Sequence, residues 1–200
     1  MIIVISSRSG GVGKSSTAIH LSAYLSTRRG AGKVALVDLD ANETCLEWHQ
    51  SGPGQKFDVL GPDDEPDGYD HLIIDTAAAP DSDELAEILE ASDLLVIPTT
   101  PSPFDVKPAI ATSETFDLKE GDVTLLLTLC PPLPSRVGAD SLQAIKDAGI
   151  PVVSQLITRR NVYLDAAIGG LHVGQIKKKP AQKAWAEWQA VGKEIFRGRL

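Results

Sequence analysis

The chain has 200 residues, of which 42% are hydrophobic and 23% are charged, and this composition is typical of one soluble globular domain spanning residues 1–200. No apolar run approaches the ~20 residues of a membrane span, and the N-terminal apolar stretch lacks the basic segment of a signal peptide. The formal net charge of −8 argues against nucleic-acid binding only if the charge is spread evenly.

The first predicted strand, Ile2–Ser6, leads into a glycine-rich segment, Ser9–Ser16, which we call the phosphate loop. Its glycines let backbone N–H groups converge on phosphate oxygens, and the following helix, Lys14–Arg28, directs its positive dipole end at them. The lysine can reach the β- and γ-phosphates, and the next hydroxyl is placed to ligate Mg²⁺. The sequence therefore predicts a nucleoside triphosphate bound by Gly10, Gly11, Val12, Gly13, Lys14, Ser15 and Ser16.

Two aspartates, Asp38 and Asp40, lie at the end of the second predicted strand, Val34–Asp38, and just after it. Alternation along a strand turns the side chains of Asp38 and Asp40 to the same side, which faces the phosphate loop if this strand lies next to the first. One carboxylate can then hold Mg²⁺ through water while the other orients the attacking water. The alternative is that the pair only forms a turn and a helix cap.

A third polar strand end follows the run His71–Asp75. Four residues lead to a carboxylate there, which is a Walker B arrangement, so Asp75 is predicted to bind the Mg²⁺ shell. The small residues of Thr76–Ala79 could then sense the γ-phosphate.

The remaining pattern alternates between strands and helices. The other predicted strands are Phe57–Leu60, Leu94–Pro98, Val123–Leu129 and Val152–Leu156, and the other helices are Glu43–Gln50, Ser82–Ala91, Val106–Leu118 and Asp140–Ala148. This order predicts a doubly wound α/β fold with a mostly parallel sheet, helices on both faces and a ligand site at the carboxyl ends of the strands. Cys45 and Cys130 fit no metal-ligand spacing and are interpreted as small buried side chains in a reducing cytoplasm.

The last predicted helix, Ala181–Arg197, belongs to a basic C-terminal part of the chain. Trp185, Trp188, Val191 and Ile195 recur at spacings that give one apolar face, which favours packing on the body over an exposed aromatic anchor. From residue 177 onward there are seven Lys/Arg and two acids, so the balance is +5 and the rest of the chain carries −13. Such asymmetry can indicate a surface for phosphate backbones or only a solvated helix face.

Several of these motifs together resemble the ParA/MinD family of deviant Walker A ATPases. The tight G-G-x-G-K-S loop is similar to the family's loop, and the D-x-D segment resembles its switch I, with Ala41-Asn42 in place of Pro-Gln. The segments Leu94–Asp105 and Ile157–Tyr163 resemble those of the small plasmid-partition ATPases. The resemblance extends from residue 2 to about residue 170, and no helix-turn-helix region precedes the core.

The resemblance implies a P-loop NTPase that binds ATP and Mg²⁺ and forms a homodimer with nucleotide at the interface. It implies catalytic roles for Lys14, Asp38 and Asp40, nucleotide contacts from the phosphate loop and Pro98, and metal contacts from Ser15, Asp38 and Asp75. Relatives coat the nucleoid in the cytoplasm through nonspecific DNA contacts, without a membrane, and an adaptor protein stimulates their hydrolysis. The candidate DNA-binding residues are Arg159, Arg160, Lys177, Lys178 and Lys179, and an intramolecular ion pair is the alternative for each arginine.

Ser9 stands where most of the family has a signature lysine that reaches the partner's phosphates. Serine cannot supply a cation, so Arg8, Lys107 or Lys146 substitutes, the timing of hydrolysis differs, or the dimer does not form. The same serine resembles the branch that distributes carboxysomes with an McdB-like adaptor. Plasmid partition with a ParB-like adaptor is the alternative function, followed by a non-hydrolysing nucleotide switch and a metabolic ligase of the same fold.

Overall fold

A computed structural model describes residues 1–116 and 121–199, and its centre is one parallel sheet in the order β3-β2-β4-β1-β5-β6. The strands are β1 Ile2–Ser7, β2 Val34–Asp38, β3 Asp58–Leu60, β4 His71–Ala78, β5 Leu94–Thr99 and β6 Val123–Leu127. The helices are α1 Lys14–Ser26, α2 Thr44–Gln50, α3 Ser82–Glu90, α4 Pro103–Thr115, α5 Val137–Asp147, α6 Val162–Ile168 and α7 Lys179–Ile195, with a 3₁₀ turn at Val173–Gln175.

Alternate side chains of the central strands divide the core into two layers. Ile3 and Ile5 of β1 belong to the layer that also holds α1 and α7, whereas Val4 belongs to the layer on the opposite face of the sheet. Continuous apolar strands are expected where both faces of a parallel sheet are covered. The predicted doubly wound α/β fold is confirmed.

The seventh predicted strand, Val152–Leu156, is wrong as a regular strand. Its neighbourhood makes two isolated bridges, Leu125 with Val152 and Cys130 with Thr158. Val153 N donates to Leu125 O of β6. The next amide in this segment that donates to β6 is Ile157 N, whose acceptor is Leu127 O. The three residues between them bulge away from β6, because Ser154 N donates to Glu194 Oε1 of α7 instead.

Three helices differ from the sequence prediction, and one of them, α5, begins at Val137, three residues before the predicted start at Asp140. Helix α4 begins at Pro103, three residues before the predicted start, because the Ser102 side chain caps it by accepting from Phe104 N. The predicted end of this helix, Leu118, lies outside the described residues. Helix α6 has seven residues and was not predicted, since two turns are too short to establish a helical period.

Helix α7 packs on α1 through the predicted apolar face. Trp188 is fully buried, and its ring stacks on His20 with 4.9 Å between the ring centroids. Trp185 is partly buried against the same layer, so packing on the body, and not an exposed aromatic anchor, describes both residues. Within residues 1–116 and 121–199, no helix has both the length and the apolar character needed to cross a membrane.

Candidate functional site

The phosphate loop has backbone conformations that only glycine adopts easily. Gly11 and Gly13 have φ angles of 70° and 88°, in the left-handed region where a Cβ is strained. Gly10 and Gly11 are exposed, whereas the Lys14 side chain is buried at the start of α1. Thr17 Oγ1 donates to Gly13 O at 2.7 Å, which ties the loop to the first turn of the helix. The sequence-predicted loop therefore lies at the carboxyl end of β1 with a helix N-terminus behind it.

Thr128, at the end of β6, anchors this loop and was not predicted to be functional. Its hydroxyl lies 2.6 Å from Val12 O and 3.3 Å from Thr99 O, and the side chain is buried. The loop is thus attached to the ends of two further strands. The only sequence signal for this role was the position of Thr128 as a polar residue directly after the apolar run of β6. The predicted strand Val123–Leu129 included Thr128, so this signal was not used.

The order of the strands corrects the assumption that β2 adjoins β1. Strand β4 lies between them, and its Asp75 pairs in register with Asp38 of β2 on one side and with Ile5 of β1 on the other. Asp38 is therefore separated from β1 by the width of β4 and lies beside Asp75. Strand β2 ends at Asp38, so the alternation that was expected to align Asp40 does not extend to it.

Asp38 is fully buried and accepts three backbone hydrogen bonds. Cys45 N donates to Oδ2 at 2.7 Å, Leu46 N donates to Oδ2 at 3.1 Å, and Asp40 N donates to Oδ1 at 3.2 Å. The first two amides lie in the first turn of α2, so this carboxylate caps the helix from a neighbouring strand. Asp38 thus has the helix-cap role that was the alternative, while it also adjoins Asp75.

Asp40 is only partly buried and closes a turn. Its Oδ1 accepts from Asn42 N at 3.0 Å and from Asn42 Nδ2 at 2.7 Å. Asp40 therefore forms the turn that was the alternative interpretation of this pair of aspartates. Asp40 is thus the more exposed of the two acids, and its predicted role at a bound nucleotide stays a prediction.

Asp75 is fully buried, and one of its oxygens has no partner among the described residues. Oδ2 accepts from Cys45 Sγ at 3.4 Å, whereas Oδ1 makes no hydrogen bond. Burial raises the pKa of Asp75 to about 6, and the Ser15 hydroxyl and the Cys45 thiol beside the carboxylate oppose this rise. The charge of Asp38 raises this pKa further, and that of Lys14 lowers it. A buried carboxylate oxygen without a donor fits a cation with oxygen ligands such as Mg²⁺, for which Ser15, Asp38 and Asp75 are the available ligands.

Cys45 lies inside this acidic pair, although its position in the sequence fits no metal-ligand pattern. Its thiol is fully buried, and burial together with Asp75 and Asp38 raises its pKa well above the usual value. One ligand atom from each of Asp38, Cys45 and Asp75 lies within 4.8 Å of the others. Only the pairing of β2 with β4 brings these residues together, so sequence spacing could not reveal the cluster.

The three cations proposed to substitute at Ser9 occupy different parts of the molecule. Arg8 is exposed and adjoins the phosphate loop, and Lys107 is exposed in the first half of α4. Lys146 lies in the last turn of α5, and its Nζ donates to Ser154 Oγ at 3.2 Å. Lys146 is thus near the end of α5, away from the phosphate loop, and the choice among the three cations stays a prediction.

Pro98 is buried inside β5, where it is paired with Leu126 of β6. Proline has no N–H to donate. Pro98 can therefore lie in this strand without the loss of a sheet hydrogen bond only if its backbone nitrogen faces no acceptor on a neighbouring strand. Its predicted contact with nucleotide stays a prediction.

The five candidate DNA-binding residues divide into paired and exposed side chains. Arg160 forms an ion pair with Glu187 of α7, whose other carboxylate hydrogen bonds go to Thr158. The alternative of an intramolecular ion pair therefore applies to Arg160. Lys178 lies 3.3 Å from Asp165 in a largely exposed pair, while Arg159, Lys177 and Lys179 are exposed.

His20 connects the phosphate-binding helix to the C-terminal part of the chain. Its Nδ1 lies 2.6 Å from Ser16 O, and Val173 N donates to its Nε2 at 3.3 Å. These two bonds require a neutral ring with the proton on Nδ1, and burial lowers the pKa of His20 to about 3. The buried His20 side chain thus connects Ser16, in the first turn of α1, to Val173, in the segment that precedes α7.

Comparison with known proteins places this geometry among nucleotide-binding proteins. A family model described as the CobQ/CobB/MinD/ParA nucleotide binding domain matches residues 3–173. The maintenance of carboxysome distribution protein A of Gloeobacter kilaueensis is 30% identical over 98% of this chain and 94% of its own.

Two solved structures have similar folds at lower identity. One is a Borrelia burgdorferi protein described as a plasmid partition protein and bound to AMPPNP, with a TM-score of 0.72, 19% identity and coverage of 100% of this chain and 99% of its own. The other is a variant of Cyanothece McdA in complex with ATP, with a TM-score of 0.70, 17% identity and coverage of 98% and 95%.

Proposed function

The chain belongs to the CobQ/CobB/MinD/ParA nucleotide-binding family, and on this premise we propose that it is a Mg²⁺-dependent ATPase that positions an intracellular cargo. The observation that carries the proposal is the register of β2, β4 and β1 in the sheet. Asp38 and Asp75 are paired in adjacent strands, and Asp75 adjoins the strand that leads into the phosphate loop and Lys14. A phosphate-binding loop with a lysine, a hydroxyl and a nearby buried carboxylate that could hold Mg²⁺ is the arrangement that P-loop NTPases use for phosphoryl transfer.

The residues of the chain divide the work of binding and hydrolysis. The N–H groups of Gly10–Ser16 and the Lys14 ammonium bind the phosphates, and Ser15, Asp75 and Asp38 supply oxygen ligands for Mg²⁺, directly or through water. When bound, Mg²⁺ neutralises charge that develops on the phosphate oxygens. Asp38 and Asp40 orient the attacking water, and Asp38 must share its oxygens with the amides of α2 while it does so.

We further propose that ATP induces a homodimer that binds DNA without sequence specificity in the cytoplasm and associates with the nucleoid. The exposed Arg159, Lys177 and Lys179 are the best candidates for phosphate contacts, because none of them forms an ion pair with a residue in 1–116 or 121–199. A small adaptor protein, McdB-like or ParB-like, would stimulate hydrolysis and release the dimer from DNA.

The proposed cargo is the carboxysome. Ser9 and the 30% identity with a maintenance of carboxysome distribution protein A over nearly the whole chain support this choice. Plasmid partition is the second candidate, and it is favoured by the proline-containing segment Leu94–Asp105 and by the fold of the Borrelia protein.

ATP turnover by the purified full-length protein tests the proposal. We expect slow hydrolysis that requires Mg²⁺ and rises when DNA and the adaptor encoded beside this gene are added together. No turnover under any of these conditions would refute the ATPase. A monomer in the presence of ATP and Mg²⁺, measured by light scattering with an Asp38→Ala variant, would refute the dimer alone.

The cargo is tested separately in the cells that make this protein. Deletion of the gene should leave carboxysomes clustered while plasmid copy number and inheritance stay unchanged. Normal carboxysome spacing with loss of a plasmid would assign the second candidate instead.

A further inference from the structure

We propose that the outer face of α7 is a binding surface for the phosphate backbone of double-stranded DNA, which lies along the helix. This surface, which we call the α7 stripe, consists of Lys179, Lys183, Lys193 and Arg197. Its assignment rests on the DNA binding proposed above and extends it, because three of these residues were not among the candidates from the sequence. The sequence alone left a solvated helix face as the alternative, and the surroundings of α7 favour the phosphate surface.

Helical periodicity places the cations of the α7 stripe on one side. At about 3.6 residues per turn, Lys179, Lys183 and Lys193 project within an arc of about 80° and span about 21 Å of the helix axis. Arg197 follows in the turn after the helix, and all four side chains are exposed, as is the small, uncharged Ala186 between them. A DNA strand rises about 3.4 Å per phosphate, so the length of the stripe matches about six successive phosphates.

Both acidic residues of α7 are bonded to the body of the protein. Glu187 pairs with Arg160 and also accepts from Thr158, and Glu194 Oε1 accepts from Ser154 N at 2.9 Å. The four cations of the α7 stripe, in contrast, form no ion pair with a residue in 1–116 or 121–199. The helix therefore presents positive charge to solvent while its negative charge is used internally.

The N-terminal end of α7 adds to this positive field. Its N-cap residue, Lys178, has no acceptor oxygen in its side chain and so cannot cap the first turn, which contains no acid. The first amides of the helix and the positive end of its dipole can therefore attract a phosphate at the end of the α7 stripe.

The opposite face of the sheet directs DNA to the side of α7. No Lys or Arg stands between Lys56 and Lys107, a span that contains 14 acids. Helix α3 lies in this span and packs in the core layer opposite to that of α7, and its exposed residues include Asp83, Glu84, Glu87 and Glu90. A polyanion is repelled by α3 and attracted by α7, so the net charge of −8 does not prevent binding on one face.

An anionic membrane is the other polyanion that a basic helix can meet. A helix that lies on a membrane inserts an apolar face into it. The apolar face of α7 is already used, since Trp188, Val191 and Ile195 are buried in the core layer that α7 shares with α1. The α7 stripe thus offers charge without an apolar anchor, which favours DNA over a lipid surface.

The variant Lys183→Ala/Lys193→Ala tests the α7 stripe in the full-length protein with ATP and Mg²⁺. Fluorescence anisotropy with a short duplex of random sequence, at several salt concentrations, measures the affinity. Two phosphate contacts per protomer should be lost, so affinity should fall at least about tenfold and the slope of log affinity against log salt should decrease by about 2 per protomer. Lys33→Ala/Arg136→Ala is the matched control, because it removes the same charge from exposed positions outside the C-terminal region and should keep the wild-type slope.

Wild-type affinity and slope in Lys183→Ala/Lys193→Ala, or equal losses in the control, would overturn the assignment to α7 and leave the proposed DNA binding in place. A wild-type protein that binds no DNA with ATP and Mg²⁺ would refute the DNA binding itself. Thermal unfolding establishes that each variant is folded, and Lys183→Gln/Lys193→Gln, which keeps longer polar side chains, gives the same test if the alanine variant is unstable. Vesicles containing phosphatidylserine should not sediment the wild type. Sedimentation that the α7 variant loses, with no change in its DNA affinity, would replace DNA by a membrane.

Discussion

The carboxyl edge of the sheet and the basic C-terminal region use charged side chains in opposite ways. At the sheet edge, Lys14, Asp38 and Asp75 are buried and lie within reach of one another. In the C-terminal region, Lys177 and Lys179 are exposed, and the pair of Lys178 with Asp165 is exposed as well. The buried charges interact strongly with one another, so the free energy of each depends on the others and on any bound cation. Water screens the exposed charges, so the effects of substituting them should be additive.

His20 is the physical link between the two regions. It bonds Ser16 in the first turn of α1 and Val173 before α7, and its ring stacks on Trp188. Substitutions in each region can therefore test the difference between them. For each variant, ATP binding and turnover report on the carboxyl edge of the sheet, and DNA affinity reports on the C-terminal region.

The largest effect is expected from Lys14→Ala. Loss of this buried ammonium removes the charge that binds the β- and γ-phosphates, so ATP affinity should fall by about 10²–10³-fold and turnover should disappear. Titration with a fluorescent ATP analogue measures the affinity. Lys146→Ala is the matched control, since the Lys146 ammonium donates to Ser154 and lies near the end of α5, away from the phosphate loop. Equal losses in both variants would contradict a localised site.

Asp38→Ala should separate binding from hydrolysis. We expect ATP to remain bound while turnover falls by about 10²–10³-fold, because the carboxylate that orients water is gone. The variant also loses the cap of α2, so its free energy of unfolding should fall by about 1 kcal/mol. Asp38→Asn, which keeps one acceptor oxygen, should lose turnover with a smaller loss of stability, and urea unfolding measures this difference. Full activity in either variant would assign catalysis elsewhere.

Asp75→Asn should change how stability depends on pH. Folding raises the pKa of Asp75 from 3.8 to about 6, so the folded state binds this proton more tightly than the unfolded chain does. The stabilisation from protonated Asp75 is complete below about pH 4 and is lost as the pH rises through 6. Relative to the wild type, the variant should gain about 2–3 kcal/mol in unfolding free energy between pH 4 and pH 7, without metal or nucleotide. A difference that does not vary with pH would contradict the buried, unpaired carboxylate.

Arg160→Ala should affect the fold more than DNA binding. Its partner Glu187 is mostly buried and also bonds Thr158, so removal of the arginine leaves a carboxylate without its counterion. We expect thermal unfolding to show a loss of about 1–3 kcal/mol while the affinity for random-sequence DNA is unchanged at matched protein folding. Arg159→Ala, at the neighbouring exposed position, is the control. A DNA-specific defect in Arg160→Ala alone would reverse the assignment.

The smallest change is expected from the double variant Lys177→Ala/Lys179→Ala. Two phosphate contacts per protomer should be lost, so DNA affinity should fall and the slope of log affinity against log salt should decrease by about 2 per protomer. Stability and ATP turnover without DNA should stay at wild-type values, because both side chains are exposed. Fluorescence anisotropy at several salt concentrations measures the slope. An unchanged slope would exclude this surface from DNA binding.

Much of the fold could be predicted because its signals are local. Strand β2 was predicted with its observed bounds, and the phosphate loop could be identified from glycine, lysine and hydroxyl spacing alone. The strand at Val152–Leu156 could not be judged in this way, because a hydrogen bond from Ser154 to Glu194 of the distant α7 interrupts it. Helix α6 was missed because its seven residues carry too little periodicity.

The sequence by itself determined the phosphate loop, the parallel α/β architecture and the carboxylates in or just after the strands that follow the loop, since each depends on residues that are adjacent or periodic in the chain. Only the tertiary structure decided that β4 separates β1 from β2, that Asp38 caps α2, that Arg160 is paired, and that Cys45 lies between two carboxylates. Those features depend on which strands become neighbours and which side chains share one buried volume. The free energy of packing the whole chain sets both, and no local pattern records it.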